Sequence, residues 1–198
     1  MKRIAFIASI SGVIALSTIV VFSLKEESSV IDPTIYLDPP APISANSDKE
    51  FEVALKMSDL PDEVYPGASI SIGFDNSKLE FVGLKPGTMQ TSADKLQSGS
   101  EYEVPTWNCN IDVSNKNGQI NAMYLDMSDG NLAYNRDGFK KDKRDVVLKL
   151  VFKLNVVQRG DTLDLNIDDA VFATVDRSKS LAIANKKLEY KDCKIVVM

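Results

Sequence analysis

From residue 51 the chain alternates between apolar and polar positions. Phe51, Val53, Leu55 and Met57 are separated by Glu52, Ala54, Lys56 and Ser58, the period-two pattern of a strand with one buried face. The pattern returns in Ile70, Ile72 and Phe74, in Leu79 and Phe81, and in Trp107, Cys109, Ile111 and Val113. Residues 146–157 form the strongest run: Leu148, Leu150, Phe152, Leu154 and Val156 share a face, and Val147, Val151 and Val157 sit on the other among Lys149, Lys153 and Asn155. Leu163, Leu165 and Ile167, then Ile195 and Val197, complete the series. Turn chemistry punctuates it at Pro61, Pro66-Gly67, Asp75–Lys78, Pro86-Gly87 and Arg159-Gly160-Asp161. Asn117-Gly118 predicts a hairpin, with 120–127 returning antiparallel to 107–113. Thr34–Leu37 predicts a short edge strand, stopped by Asp38-Pro39-Pro40-Ala41-Pro42, where proline excludes helix. Residues 88–105 and 128–144 are polar excursions, and Asp168-Asp169 reads as a strand-end turn. Eight or nine short strands without a helical period predict an all-β fold, two antiparallel sheets stacked into a β-sandwich.

The first 25 residues are of another kind. Residues 4–24 are apolar and uncharged, preceded by Lys2 and Arg3 and followed by Lys25-Glu26-Glu27. At ~1.5 Å per residue the run matches a bilayer core of roughly 30 Å. The leading cations predict a cytoplasmic N-terminus and export of the rest, to a cell-surface or extracellular location. A signal peptide cleaved after Val21-Phe22-Ser23 and an uncleaved anchor helix both remain open. The expected organisation is residues 1–25 as signal or anchor, 26–32 as polar linker and 33–198 as one sandwich domain.

Composition narrows the chemistry. Histidine is absent, so Ser-His-Asp triads, Cys-His pairs and histidine zinc sites are excluded. Net charge is -5 with both signs interleaved, and no basic stripe marks a nucleic-acid surface. Cys109 and Cys193 read as two small core or edge residues. Asp126, Asp129, Asn131, Asn135, Asp137 and Asp142 offer the oxygen ligands calcium prefers, but their spacing does not fit a helix-loop-helix calcium site; solvated turns are expected and no cofactor is assigned. Nothing singles out a carboxylate pair for glycoside hydrolysis, so no enzyme is expected. Tyr102, Trp107, Tyr124 and Tyr134 suggest a sugar-stacking platform, although Trp107 shares a face with Cys109 and Ile111 and reads as core. Arg159-Gly160-Asp161 spells an adhesion-type tripeptide, read here as a hairpin turn.

Four segments in order resemble the cohesin domain, the module with which bacterial scaffoldins receive dockerin-bearing enzymes. They are residues 70–87 (ISIGFDNSKLEFVGLKPG), 118–126 (GQINAMYLD), Asp137-Gly138 leading into 146–156, and 167–173 (IDDAVFA). The resemblance spans about residues 33–198 and implies a nine-stranded sandwich in which Cys109 and Cys193 lie far apart. It also implies that dockerin helices dock on the outer face of the strands at 67–74 and 119–127. There the outward candidates are Ser69, Ser71, Ala122, Tyr124 and Asp126, with Asp176 and Arg177 from a late loop and Tyr124 as anchor. Where the family places an Asn and an Asp on the first strand, this chain has Gly67 and Ser69, so the usual polar contacts are not all available. The expected function is a non-catalytic module holding a protein partner of the dockerin type or another kind, with membrane association through residues 4–24. The alternatives are a carbohydrate-binding module, taking polysaccharide on exposed aromatics, or a structural surface subunit that assembles through its edge strands.

Overall fold

Each strand buries the parity that its alternation marks. In Phe51–Met57 the buried positions are Val53, Leu55 and Met57, and in Gly67–Phe74 they are Ala68, Ile70, Ile72 and Phe74. Closing such one-sided strands against each other gives the architecture seen in a computed structural model, which describes residues 32–89, 106–127, 132–136, 138–139 and 144–198. The expected N-terminal helix and the linker up to residue 31 lie outside the described residues, as does most of the 88–105 excursion. Among the described residues no helix is long and apolar enough to cross a membrane.

The elements in order are β1 (Thr34–Asp38), β2 (Phe51–Met57), β3 (Val64–Tyr65), β4 (Gly67–Phe74), β5 (Leu79–Pro86), β6 (Asn108–Cys109), α1 (Ile111–Asn117), β7 (Gln119–Leu125), β8 (Tyr134–Asn135), β9 (Val146–Leu154), β10 (Thr162–Ala173), β11 (Leu181–Ala182), β12 (Glu189–Lys191) and β13 (Cys193–Val196). Eight of these strands have four residues or more, in line with the eight or nine expected. One sheet runs β12-β1-β2-β9-β5 and the other β11-β10-β4-β7-β6, with β13 also paired to β10; β3 and β8 form a separate small ribbon. The sheets share a core that includes Leu55, Ile72, Phe81, Phe152 and Leu165, and Phe152 packs on the rings of Phe51, Phe74 and Phe81.

Five local expectations change. Residues 111–117 are helical, not a strand leading into a hairpin. Asn110 caps the helix by accepting from the Val113 N–H at 3.0 Å, and Gly118, at φ 65°, ends it by donating to Ser114. Asn-Gly supplies the left-handed residue that either a hairpin or a helix terminus needs, and the Asn110 cap decides for the helix. Of the expected hairpin only Asn108 opposite Met123 and Cys109 opposite Ala122 remain. Strand β1 is not an edge, because β12 pairs with it, in parallel, through Thr34 and Glu189. The Arg159–Asp161 turn carries the chain from one sheet to the other, so it closes no hairpin. Asp168-Asp169 lies inside β10 at a bulge, where Ile167 faces Ile72 but Asp169 faces Ser71.

The helix also closes an edge. Asn115 accepts from the Phe81 N–H at 2.7 Å and donates to the Phe81 carbonyl at 2.8 Å, acting as a one-residue partner for edge strand β5. Cys109 and Cys193 are free thiols on opposite edges of the six-stranded sheet, separated by β7, β4 and β10. At about 4.8 Å per strand they are far beyond disulfide reach.

Tyr65 is fully buried against Phe172, and its hydroxyl has no hydrogen-bond partner among the described residues. Burial, with Glu63 adding to it, pushes its pKa up to about 12. Because that hydroxyl is desolvated without compensation, Tyr65→Phe should leave urea stability unchanged or raise it by up to about 1 kcal/mol. A loss would mean that the hydroxyl has a strong partner.

Candidate functional site

The outer faces of the two sheets differ in kind. On the five-stranded sheet Glu52 accepts from Lys149 at 2.8 Å and Lys85 at 2.9 Å, Lys56 pairs with Asp38 at 2.8 Å, and Lys153 faces Glu50 at 3.6 Å. The two lysine hydrogen bonds hold Glu52 at about 2, below the ordinary carboxyl value. A depressed carboxyl stabilises fully above its unfolded pKa and loses that contribution as pH falls through the folded one. Urea stability should therefore drop between pH 4.5 and about 2, and less so in Glu52→Gln; the exposure of all three side chains keeps the difference small.

The outer face of β10, β4, β7 and β6 has no Lys or Arg at all. Register places its outward residues in rows: Ala173, Gly67 and Leu125; Val171, Ser69, Met123 and Asn108; Asp169, Ser71 and Asn121; Asn166, Gly73 and Gln119. The central strand β4 contributes only glycine and serine to this face, so it forms the floor of a trough. Met123 and Leu125, 62% and 64% exposed, make one wall on β7, and Val171 and Asp169 make the other on β10. A hollow of about 240 Å³ lies in the trough, lined by Ser69, Ser71, Asn121, Met123 and Asp169.

The β10 bulge sets the polar end of this face. Before it Leu163, Leu165 and Ile167 point inward; after it Ala170 and Phe172 do, so Asp168 and Asp169 both remain outside. The Gln119 amide donates to Ser71 Oγ at 3.0 Å and to Asp168 Oδ2 at 3.3 Å, drawing Asp168 across Gly73. The parity switch from odd to even apolar positions in Leu163–Phe172 was the sequence signal for this arrangement.

Ser69 and Ser71 face outward as expected. Ala122 and Tyr124 do not: the register that sets Ile70 opposite Ala122 turns them inward, and Met123 and Leu125 take the outward positions. Tyr124 is only 5% exposed and its hydroxyl donates to the Leu132 carbonyl, so it anchors the core and not a partner. Burial, with Asp126 nearby, raises its pKa. Asp126 is half-buried just past β7, its N–H bonded to the Pro66 carbonyl at 2.6 Å. Asp176 accepts from the Ser178 N–H and hydroxyl and caps the 3-10 turn Arg177–Lys179, in the connection that leaves the Ala173 end of β10; Arg177 is exposed there.

The aromatics considered for a sugar platform are packed inside, and Trp107 is core, as its strand face predicted. Trp107, 8% exposed, donates its indole N–H to Tyr134 Oη at 2.8 Å, and Tyr124 and Tyr134 stack edge to face beneath it; Tyr102 lies outside the described residues. In the Arg-Gly-Asp turn the Asp161 carboxylate accepts from the Gln158 N–H at 3.0 Å and faces Lys78 at 3.7 Å, so it serves the turn itself. Of the acids considered for calcium, Asp129, Asn131, Asp137 and Asp142 lie outside the described residues, and Asn135 accepts from the Gly138 N–H. Among the described residues no three His, Cys, Asp or Glu side chains come together to hold a metal.

This is a two-sheet sandwich with one salt-bridged outer face and one bare trough, and its fold is cohesin-like. The OlpC cohesin of Clostridium thermocellum, solved in complex with Doc435, superimposes with a TM-score of 0.59 at 13% identity, covering 83% of this chain and 92% of that one. The third ScaC cohesin of Acetivibrio cellulolyticus, in complex with the ScaB dockerin, gives 0.58 at 14% identity, covering 84% and 99%. A non-cellulosomal cohesin of the archaeon Archaeoglobus fulgidus gives 0.52 at 13% identity, covering 84% and 91%. No family model matches the sequence, and no curated protein matches it.

Proposed function

We propose that this chain is a non-catalytic recognition module, working outside the cytoplasmic membrane, that holds a helical, dockerin-type protein partner in the trough over β4. The observation that carries this reading is the contrast between the two outer faces. Ion pairs occupy one, whereas the other leaves Met123 and Leu125 exposed beside a floor of Gly67, Ser69, Ser71 and Gly73. In the middle of a sheet the backbone groups are already paired, so a partner there engages through side chains, and a helix of about 10 Å diameter fits between flanking strands about 10 Å apart. Cohesins of this fold solved with dockerins support the same partner class. Residues 4–24 and their leading cations support export, with the module tethered or secreted.

The test uses the full chain as bait for surface and secreted proteins of its source, with and without calcium, beside a Ser71→Trp variant that fills the trough. Capture of proteins carrying a duplicated dockerin-type module, reduced at least about tenfold by the tryptophan, is the expected result. Equal capture by the variant would remove the trough from the interface.

A further inference from the structure

Resting on that reading, we infer that the partner helix is polarised: it sets Lys or Arg over Asp168 and Asp169 and aliphatic side chains over Met123 and Leu125. The face itself is graded along the strands. At the Gly73 end both carboxylates of the bulge are exposed, and neither forms an ion pair among the described residues, whereas Asp164 two turns of the pleat away is paired with Lys194 at 3.4 Å. None of β4, β6, β7 and β10 carries a cation to neutralise them, and Lys194 of the neighbouring β13 is engaged by Asp164. At the Gly67 end the outward residues are Ala173 and Leu125, preceded by Val171 and Met123, and the cation Arg177 belongs to the turn beyond.

A bound helix would leave these carboxylates beside a desolvated surface, where an uncompensated charge opposes binding and a cation favours it. The same helix must cover the Met123–Leu125 wall with apolar area. The carboxylates lie on the Ser71 row and beside Gly73 and the apolar pair on the Ser69 and Gly67 rows, so the two requirements fall on opposite halves of the trough and also set the direction in which the helix lies. A partner running the other way would place its cations on Met123 and Leu125 and its apolar end on two carboxylates.

The probe is a phage-displayed library of two-helix modules, randomised on one helix face and selected on the full chain. Ser71→Trp and the isosteric pair Asp168→Asn with Asp169→Asn play no part in the selection and are measured afterwards; asparagine keeps an acceptor for Gln119, so the sheet is undisturbed. Selected binders should lose affinity on Ser71→Trp, carry Lys or Arg at one end and Leu, Ile or Met at the other, and bind the double asparagine chain about tenfold more weakly, with the difference shrinking at high salt. Binders that Ser71→Trp blocks but that lack cations, or that bind the double variant equally well, would overturn the polarised partner and leave the docking face standing. Binders indifferent to Ser71→Trp would overturn the docking face and the inference with it.

Discussion

Gly87→Ala is expected to destabilise the domain by about 3 kcal/mol or more, because two stretches of backbone meet there. After β5 ends at Pro86 the chain crosses the start of β9, and the N–H groups of Thr88 and Met89 both donate to the Val146 carbonyl at 2.8 Å. A Cβ on Gly87 would fall on the Val146 carbonyl oxygen and within 2.6 Å of the Val147 carbonyl carbon. Neither is the end of a flexible side chain, so the crossing itself must lift. That would release both hydrogen bonds and draw the fully buried Met89 out of the core. Gly67→Ala is the control: its Cβ would meet only Leu125 Cδ1 at 3.7 Å and the Tyr124 carbonyl at 3.8 Å, ordinary contacts. Urea denaturation of the two variants should differ by most of that amount; equal stability would mean that 87–89 does not cross β9 this closely.

Tyr134→Ala should cost about 4 kcal/mol, the usual range for removing a large buried aromatic ring. Tyr134 is completely buried, packs on Trp107, Tyr124 and Phe172, and accepts the indole N–H of Trp107. Tyr134→Phe separates the two contributions: it keeps the ring, orphans only the indole donor, and should cost about 1–2 kcal/mol. Trp107 is the sole tryptophan, so its fluorescence reports the site directly. Emission should shift to the red in the alanine variant, where water reaches the indole, and stay blue in the phenylalanine variant. Unchanged emission in both would separate Trp107 from this cluster. Because Tyr124 in the same cluster belongs to β7, the alanine variant should also weaken binding of the proposed partner by loosening the wall that Met123 and Leu125 present.

The outer face proposed for docking was legible in the sequence only in part. Ser69 and Ser71 could be assigned outward because Ile70, Ile72 and Phe74 leave β4 a single choice of buried side. Strand β7 offers no such choice: Ile120, Ala122 and Tyr124 are apolar, and so are Met123 and Leu125 on the opposite parity. A tyrosine looks like an interface anchor and a methionine like core, so composition pointed the wrong way. Pairing resolved it, since Ile70 opposite Ala122 and Ser69 opposite Met123 allow one face only.

Local chemistry by itself determined that this chain makes strands, where most of them turn, that it lacks the residues of histidine catalysis, and that one end of it is apolar enough for a membrane. These are properties of neighbours in sequence, set by side-chain alternation, by proline and glycine geometry and by charge. The tertiary structure decided which tyrosines are core, that Asn117-Gly118 ends a helix, that Asp168 and Asp169 share an outer face, and that β4 becomes the floor of a trough. Each depends on which strand lies beside which and in what register, and that is settled by packing between residues dozens of positions apart.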